Sequence, residues 1–299
     1  MKLKGYIFAI LSAAAYGTNP IFAKPLYKDG MNPDSVLLFR YVLAVVVLAI
    51  MMFYNGWKQR QPISETFHVS RHNMPQLFIL GFLMALSSLT LFVSYNYMPV
   101  GIASTLLFVY PIMTALIMTV CFHERLSWLV VGCLLVACSG IALLCPMEDG
   151  NITLSGDFFI GFLIVMLSGL AYAIYLVGLN KTRVRTIASL PVTFYVLIFG
   201  TLLFVVRLWF FAPLTLPEHP LMWLNLLGLG VFPTVVSLVC TAKAIQNIGS
   251  TQTALCGALE PVTAVVLGVI ILGESVTLRD VLGMVLIFTA VTLVVCRRK

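Results

Sequence analysis

The sequence predicts an all-α, polytopic membrane protein. Of its 299 residues, 61% are hydrophobic and 10% are charged, and the mean hydropathy is +1.03. Soluble domains contain roughly 45–50% apolar and about 25% charged residues. The apolar residues are gathered into runs of about 20, the length that crosses a bilayer as a helix. Soluble enzymes and secreted disulfide scaffolds are therefore excluded.

Ten apolar runs are long enough to span a bilayer. An unbroken run in lipid must be helical, because only helices and closed barrels satisfy their backbone groups there. Barrel strands would alternate over about ten residues, and the sequence shows no such alternation. The sequence therefore predicts ten transmembrane helices. The runs cover residues 4–27, 35–54, 74–96, 99–121, 127–145, 157–179, 188–211, 222–245, 249–272 and 279–296.

The first run imitates a signal peptide, because basic residues precede an alanine-rich stretch with a cleavage-like site near Ala15. Its apolar character continues to Ala23, however, and a similar segment recurs later in the chain. We therefore expect the first helix to be retained.

Basic residues are concentrated in alternate gaps between the runs. The gaps at 55–73 and 180–187 contain Lys and Arg, whereas those at 146–156 and 212–221 contain acidic residues and no basic ones. The positive-inside rule then places both termini in the cytoplasm and the protein in the plasma membrane, which in a bacterium is the inner membrane. The net charge of +7 is interpreted as a topology signal and not as a nucleic-acid-binding surface.

The sequence predicts no metal site and no cofactor. The seven cysteines lie in or at the ends of apolar runs without a Cys-x-x-Cys pair, which is typical of small core residues. His68 and His72 are four residues apart but have no Cys or third His near them. A Gly-x-x-x-x-Gly-Lys loop for ATP is also missing from the sequence, which excludes a primary pump within this chain.

The second half of the sequence repeats features of the first half. Pro111 and Glu124 recur as Pro261 and Glu274, so that both pairs share an offset of 150 residues. Because Pro111, Pro261 and also Pro20 interrupt helical hydrogen bonding, we predict bends at these three prolines.

A second match, at an offset of 156, relates residues 11–16 to residues 167–172. The repeats are predicted as 1–147 and 154–299, with five spans in each. Because five is odd, the second repeat enters the membrane from the opposite side. Many secondary transporters have such inverted repeats, with a binding site near the midplane.

Four segments carry a family resemblance. They are 259–262 with its continuation to 274, a weaker copy around Pro111 and Glu124, residues 39–41, and residues 16–19. Through them the chain resembles the EamA family of the drug/metabolite transporter superfamily. The resemblance implies a ten-helix fold with a central cavity lined mainly by helices 1, 3, 4, 6, 8 and 9, and transport of small metabolites, often outward. Tyr110 stands where the second copy has Glu260, so the two copies are chemically unequal.

Glu260 is the strongest candidate site residue. It lies about eleven residues into its run, near the bilayer centre, where a charge costs at least about 2.5–3.5 kcal/mol. Thr253, Gly257 and Glu260 share one helical face. Low-dielectric surroundings favour a neutral carboxyl group there, as a proton-coupling site requires. A structural carboxylate, bonded at the proline kink or paired with Arg40, is the alternative.

Polar stripes recur on other spans and indicate either cavity lining or helix packing. Tyrosines in such stripes would form aromatic walls with hydroxyl groups, which suit an amphipathic solute. The stripes consist of Ser12, Tyr16 and Asn19 in the first span, Ser88 and Tyr95 in the third, Tyr110 in the fourth, and Ser168, Tyr172 and Tyr175 in the sixth. All but Ser12 and Ser168 are predicted, with Thr253 and Glu260, to bind substrate.

Two cations near predicted outer helix ends, Arg40 and Lys243, are candidates for an outer vestibule. Arg40 would either bind an anionic group of the substrate or extend its head group to the outer lipid headgroups. Lys243 would act as an anchor or guard the vestibule.

The leading hypothesis is a secondary carrier that moves small organic metabolites, such as amino acids or amphipathic compounds, by alternating access. We expect export, with a proton as the candidate coupling ion and the bilayer and solute as partners. A lipid or lipid-carrier flippase on the same fold is the alternative. A membrane-embedded enzyme would need a convergent catalytic cluster, and Glu260 is the only acid at that depth.

Overall fold

The computed structural model describes most of the chain as closely packed α-helices. The residues described are 2–58, 60, 62, 67–122, 132, 135–136, 139–140, 143, 147–148, 151–152, 156–257, 259–273 and 276–296.

Twelve α-helices are numbered here in chain order within those ranges. They are α1 (Lys2–Tyr16), α2 (Asn19–Lys28), α3 (Pro33–Lys58), α4 (Met74–Ser94), α5 (Val100–Leu107), α6 (Tyr110–Phe122), α7 (Gly156–Lys181), α8 (Ser189–Phe210), α9 (Pro220–Gly230), α10 (Ser237–Cys256), α11 (Leu259–Leu272) and α12 (Leu278–Cys296). A π-helical segment, Val231–Val236, joins α9 to α10 and is called the π segment below. A hairpin of two-residue strands, β1 (Met147–Glu148) and β2 (Asn151–Ile152), is the only sheet in the described part of the chain.

Seven stretches of helix in the described ranges are long and apolar enough to cross a membrane, and two shorter apolar helices follow them. These nine coincide with nine of the predicted runs. The remaining run, 127–145, falls largely outside the described residues. The helical membrane class is therefore confirmed. The long stretches are Leu3–Lys28, Pro33–Lys58, Arg71–Ser94, Ile102–Phe122, Gly156–Lys181, Ser189–Phe210 and Pro220–Gly249, and the shorter helices contain Val262–Ile271 and Val281–Ala290.

The interruptions within the spans lie at or beside a residue four positions before a proline. A proline nitrogen carries no hydrogen, so it cannot donate to that carbonyl, and its ring also crowds it. The helices are interrupted where bends were predicted, before Pro20, Pro111 and Pro261, and the π segment adds an irregularity at Pro233. The affected carbonyls belong to Tyr16 before Pro20, Leu107 before Pro111, Leu229 before Pro233 and Gly257 before Pro261.

The turn between the last long span and its successor lies inside α10, at Gly249. Its φ of 82° is in the left-handed region, which glycine adopts without steric cost. The sequence predicted this boundary at the same place, between residues 245 and 249.

Equivalent serine contacts occur at positions related by the predicted offsets. The Ser12 hydroxyl donates to the Ser237 carbonyl oxygen at 2.9 Å, and the Ser168 hydroxyl donates to the Ser87 carbonyl oxygen at 2.7 Å. Ser12 and Ser168 are 156 residues apart, and Ser87 and Ser237 are 150 apart. The first contact joins α1 to α10 and the second joins α7 to α4.

A pair of glycines repeats the same relation at another level of these interfaces. A Cβ atom on Gly5 would lie 2.6 Å from Cγ2 of Ile248, and one on Gly161 would lie 2.7 Å from Cε of Met98. These distances are shorter than carbon atoms tolerate, so both helix pairs depend on glycine for their close approach. Gly5 and Gly161 again differ by 156 residues, and Met98 and Ile248 by 150.

The matched serines allow a stability test. We expect Ser12→Ala and Ser168→Ala each to lower the free energy of unfolding by about 1 kcal/mol, because each removes a buried interhelical hydrogen bond. Thermal unfolding of the purified protein in detergent would measure the loss. Thr119→Val is the control, because the Thr119 hydroxyl bonds within its own helix, to the Ala115 carbonyl oxygen. A loss for one serine and none for the other would contradict the equivalence of the two contacts.

Candidate solute-binding chamber

A chamber lies between helices α1, α6, α7, α10 and α11. Its cavity volume is about 20 Å³, which is room for one water molecule. Five predicted substrate-binding residues, Tyr16, Tyr110, Tyr172, Thr253 and Glu260, line it together. The other lining residues are Ala9, Ser12, Ala13, Leu176, Ser237, Thr241 and Gly257.

Tyrosines form the aromatic wall of the chamber. The rings of Tyr16 and Tyr172 are stacked, with centroids 6.3 Å apart, and Tyr110 meets Tyr172 edge-on at 4.8 Å. All three are buried. Tyr16 and Tyr172 occupy positions 156 residues apart, so equivalent residues of the two halves face each other here. An aromatic wall with hydroxyl groups suits a partly apolar solute.

Hydroxyl groups of α1 and α10 form the polar part of the chamber wall. The Ser12 hydroxyl lies 2.6 Å from the Thr241 hydroxyl and 3.2 Å from the Ser237 hydroxyl. The sequence analysis did not select Ser237 and Thr241, although their spacing of four residues in an apolar run is the signal that identifies such a stripe.

Glu260 lies at the interruption between α10 and α11 and is 5% exposed. Its backbone N–H donates to the Gly257 carbonyl oxygen at 2.9 Å, which places the carboxyl group in the first turn of α11. The first turn of a helix presents N–H groups without helical partners and a partial positive charge, both of which stabilise a carboxylate. A buried acid in a chamber wall is the arrangement that proton binding requires.

Gly17 allows the interruption of the first span to pack directly against the interruption of the ninth span. A Cβ atom at Gly17 would lie 2.5 Å from the Glu260 backbone oxygen and 2.6 Å from Cβ of Thr263. No side chain larger than hydrogen fits there without displacing the backbone. Gly17 is one of the residues that carried the family resemblance, and the sequence alone did not indicate this contact.

Arg40 is completely buried, with 0% exposure. Its Nε donates to the Thr234 hydroxyl at 2.5 Å, its Nη2 donates to the Pro233 carbonyl oxygen at 3.3 Å, and its guanidinium carbon lies 5.2 Å from the Phe92 ring centroid. The structure therefore places the guanidinium group inside the helix bundle and not at the outer headgroups, which was one of the two positions predicted for it. The π segment supplies acceptors within the helix bundle, so the side chain need not extend to the membrane surface.

Both halves of the chain match the same family. A model of the EamA-like transporter family matches residues 3–145 and 159–296. The chain belongs to this family. It is thus an integral membrane protein of a transporter family and not an enzyme.

Several relatives of this EamA-like transporter are themselves described as transporters. The chain is 30% identical over 269 residues to the uncharacterized transporter sll1319 of Synechocystis, covering 86% of this chain and 78% of that one. It is 23% identical to an uncharacterized transporter of Clostridium kluyveri, covering 95% and 90% of the two chains. A protein of solved crystal structure superposes with a TM-score of 0.70 at 15% identity, covering 99% and 98%, and therefore shares the fold.

Three predicted substrate-binding residues of the EamA-like transporter lie in helix contacts and not in the chamber wall. The Ser88 hydroxyl lies 2.9 Å from the Tyr41 hydroxyl. Tyr175 is 1% exposed and stacks behind Tyr172, with ring centroids 5.9 Å apart. Tyr95 packs against Phe92 at 5.5 Å. These side chains belong to the polar stripes, but no residue of α4 lines the chamber and only part of the α7 stripe does.

Asn19 is also outside the chamber wall. It is 1% exposed, and neither its amide nitrogen nor its amide oxygen has a hydrogen-bond partner. A buried side-chain amide without partners is uncommon and indicates a place where a ligand or water binds.

Lys243 does not share a vestibule with Arg40. Its Nζ lies 5.1 Å from the centroid of Phe8, in the second turn of α1. Arg40 instead lies two turns into α3, which follows the far end of the first span. The span that carries Lys243 ends beside the beginning of the first span, so the structure does not bring the two predicted vestibule residues together.

Metal ligands do not cluster in the parts of the EamA-like transporter that the structure describes, where no group of three or more His, Cys, Asp or Glu residues was found. Cys121, Cys240 and Cys256 are free thiols, in keeping with the interpretation of cysteines as small apolar residues. Glu124 and Glu274, which helped define the repeat, lie outside the described residues.

Proposed function

We propose that the chain is a secondary transporter that carries a small organic solute across the plasma membrane by alternating access. The observation that carries this proposal is the chamber, where Glu260 and three tyrosines meet at proline-linked interruptions of the first, fourth and ninth predicted spans. Interrupted helices around a central site are a recurring feature of secondary transporters, since they expose polar backbone groups to the solute and can bend.

The architecture that we propose has ten helices in two inverted repeats, 1–147 and 154–299, with both termini in the cytoplasm. The serine contacts and the glycine contacts each occur twice, at positions related by the two offsets. They support this arrangement, because a two-fold relation requires each contact to occur twice. The two matches to one family model support it as well. Residues 127–145 would supply the fifth helix.

The state described here is proposed to face the side on which the first span begins. The chamber lining extends along α1 from Ala9 to Tyr16, and along α10 and α11 from Thr241 to Glu260. Asn19, one turn beyond Tyr16, and Arg40 are buried and do not line the chamber. With a cytoplasmic N-terminus, this is the inward-facing state, from which a solute would be loaded for export.

A flippase on the same fold would need basic residues at the headgroup level and a lateral opening for a lipid. The complete burial of Arg40 and the contact of Lys243 with Phe8 favour the carrier of water-soluble or amphipathic solutes instead.

Counterflow in proteoliposomes tests the transport proposal. Purified protein would be screened by thermal shift against a metabolite library and, separately, against phospholipid. Vesicles loaded with each hit would then be given the same labelled compound outside. We expect accumulation of a metabolite in vesicles that contain the protein and none in protein-free vesicles. Stabilisation by phospholipid alone, with no counterflow of any metabolite, would instead favour the flippase.

A cross-link should stop the cycle. Asp34 accepts hydrogen bonds from Arg207 at 2.5 Å and 3.4 Å, and this ion pair joins α3 to α8 at their ends on the side away from the chamber opening. In a variant without native cysteines, we expect bridging of Asp34→Cys to Arg207→Cys by a short bismaleimide to reduce counterflow more than tenfold. Each single cysteine with the same reagent is the control. Continued flux in the bridged protein would reject a moving outer mouth.

A further inference from the structure

We propose that Arg40 binds a carboxylate group of the transported solute. The inference rests on the proposed transport function and names the class of its substrate: organic acids and zwitterions that carry one carboxylate.

The guanidinium group of Arg40 has one free edge. Nε and Nη2 are bonded to Thr234 and Pro233, but Nη1 is buried and has no hydrogen-bond partner. Within the described residues, no carboxylate oxygen lies within salt-bridge distance of this side chain. A fixed positive charge is thus enclosed in the bundle without a counter-ion, and an anionic group that bound to Nη1 would neutralise it.

The π segment holds the guanidinium group in one orientation. Pro233 cannot bond the Leu229 carbonyl oxygen, and the Thr234 hydroxyl donates to that oxygen at 2.7 Å instead. The Thr234 oxygen is thereby oriented to accept from Nε, while the Phe92 ring covers one face of the guanidinium group. The edge that carries Nε and Nη2 and one face are fixed, so Nη1 is organised in advance for an anion. π-Helical turns are often found at functional sites for this reason.

The free edge belongs to the region just beyond the chamber. The π segment that bonds Arg40 ends directly before Ser237, which lines the chamber together with Tyr16, and Tyr27 lies further along the span of Tyr16. Asn19 lies between these tyrosines in the chain. Its unpartnered amide is a second buried polar group that points to a ligand in this region. A solute that passed Tyr16 would meet a cation and a side-chain amide.

The single positive charge of Arg40 favours a solute that carries one carboxylate group. A single carboxylate balances the single charge of Arg40, and its two oxygens match the planar edge of a guanidinium group. A phosphate dianion would leave an excess negative charge in the same enclosed space. A neutral or cationic solute would leave Arg40 unneutralised.

Paired probes test the assignment without knowledge of the natural solute. Thermal unfolding of the purified chain would be followed in acetate against acetamide, and in hydrocinnamate against hydrocinnamamide, at equal ionic strength. We expect the acid of at least one pair to bind more than tenfold more tightly than its amide. The preference should disappear in Arg40→Gln. Arg40→Lys, which keeps the charge but not the planar edge, should retain a preference about tenfold weaker.

Thr234→Val is the matched control for a purely structural role. It removes the acceptor for Nε and perturbs the π segment but leaves the charge in place, so some preference for the acid should remain. A wild-type protein that binds each acid no better than its amide would overturn the proposal, and so would an unchanged preference in Arg40→Gln. Counterflow of a neutral or cationic solute would overturn it as well, while leaving the transport function intact.

Discussion

Replacing Glu260 by glutamine is expected to abolish the dependence of transport on a pH gradient. Glutamine keeps the size and hydrogen-bonding shape of the protonated acid but cannot release a proton. If Glu260 carries the proton during the cycle, the variant should still exchange solute in counterflow but should gain no more than about a twofold rate from a gradient that accelerates the wild-type protein severalfold. The measurement is solute flux in proteoliposomes with and without the gradient.

Tyr110→Phe is the control for this experiment. Tyr110 stands at the position equivalent to Glu260 in the other half and lines the same chamber, so its substitution alters the same space without removing an acid. Its response to the gradient should remain that of the wild-type protein. Full gradient dependence in Glu260→Gln would dismiss the proton-binding role, and a loss of counterflow as well would make Glu260 a solute ligand.

Gly17→Ala is expected to disable the protein although it adds only one methyl group. The added carbon would lie 2.5 Å from the Glu260 backbone oxygen, so the interrupted helices must separate. Overpacking of this kind costs typically about 1–3 kcal/mol. We expect a lower unfolding temperature and a reduction of counterflow of more than tenfold, because the displaced carbonyl belongs to the chamber residue itself.

The control for Gly17→Ala is Gly156→Ala at the start of α7. A Cβ atom on Gly156 would meet no other atom within 4 Å, so the same chemical change should leave both unfolding temperature and counterflow unaltered. If the two variants behave alike, close packing at Gly17 has no part in the transport cycle.

The positions of the spans and their bends followed from the sequence because both are local properties. Twenty apolar residues predict a membrane helix wherever they occur, and a proline removes the same hydrogen bond in every helix. The boundary at Gly249 was likewise predictable, since a polar gap and a glycine coincide there. Pro233 was overlooked, because the surrounding run is apolar throughout, although the same rule applies to it.

The directions of side chains were harder to predict, because they depend on which helices become neighbours. Ser88 and Tyr95 belong to a polar stripe, yet they contact α3 and the end of their own helix instead of the chamber. For Arg40, the sequence left open whether it binds an anionic group of the substrate or reaches the outer headgroups, and it did not indicate the bonding partners. Its partners lie 193 and 194 residues away, in a π segment that sequence periodicity does not reveal.

In the proposed architecture of two inverted repeats, Glu260 of one half stands where the other half has Tyr110, so the two halves differ chemically at the chamber. In a carrier built from two identical halves, the states open to either side of the membrane would have equal free energies in the absence of solute and gradient. A single acid on one half removes that degeneracy. The protein would then rest preferentially in one orientation, and its loading and release steps would respond differently to the acidity of the two compartments.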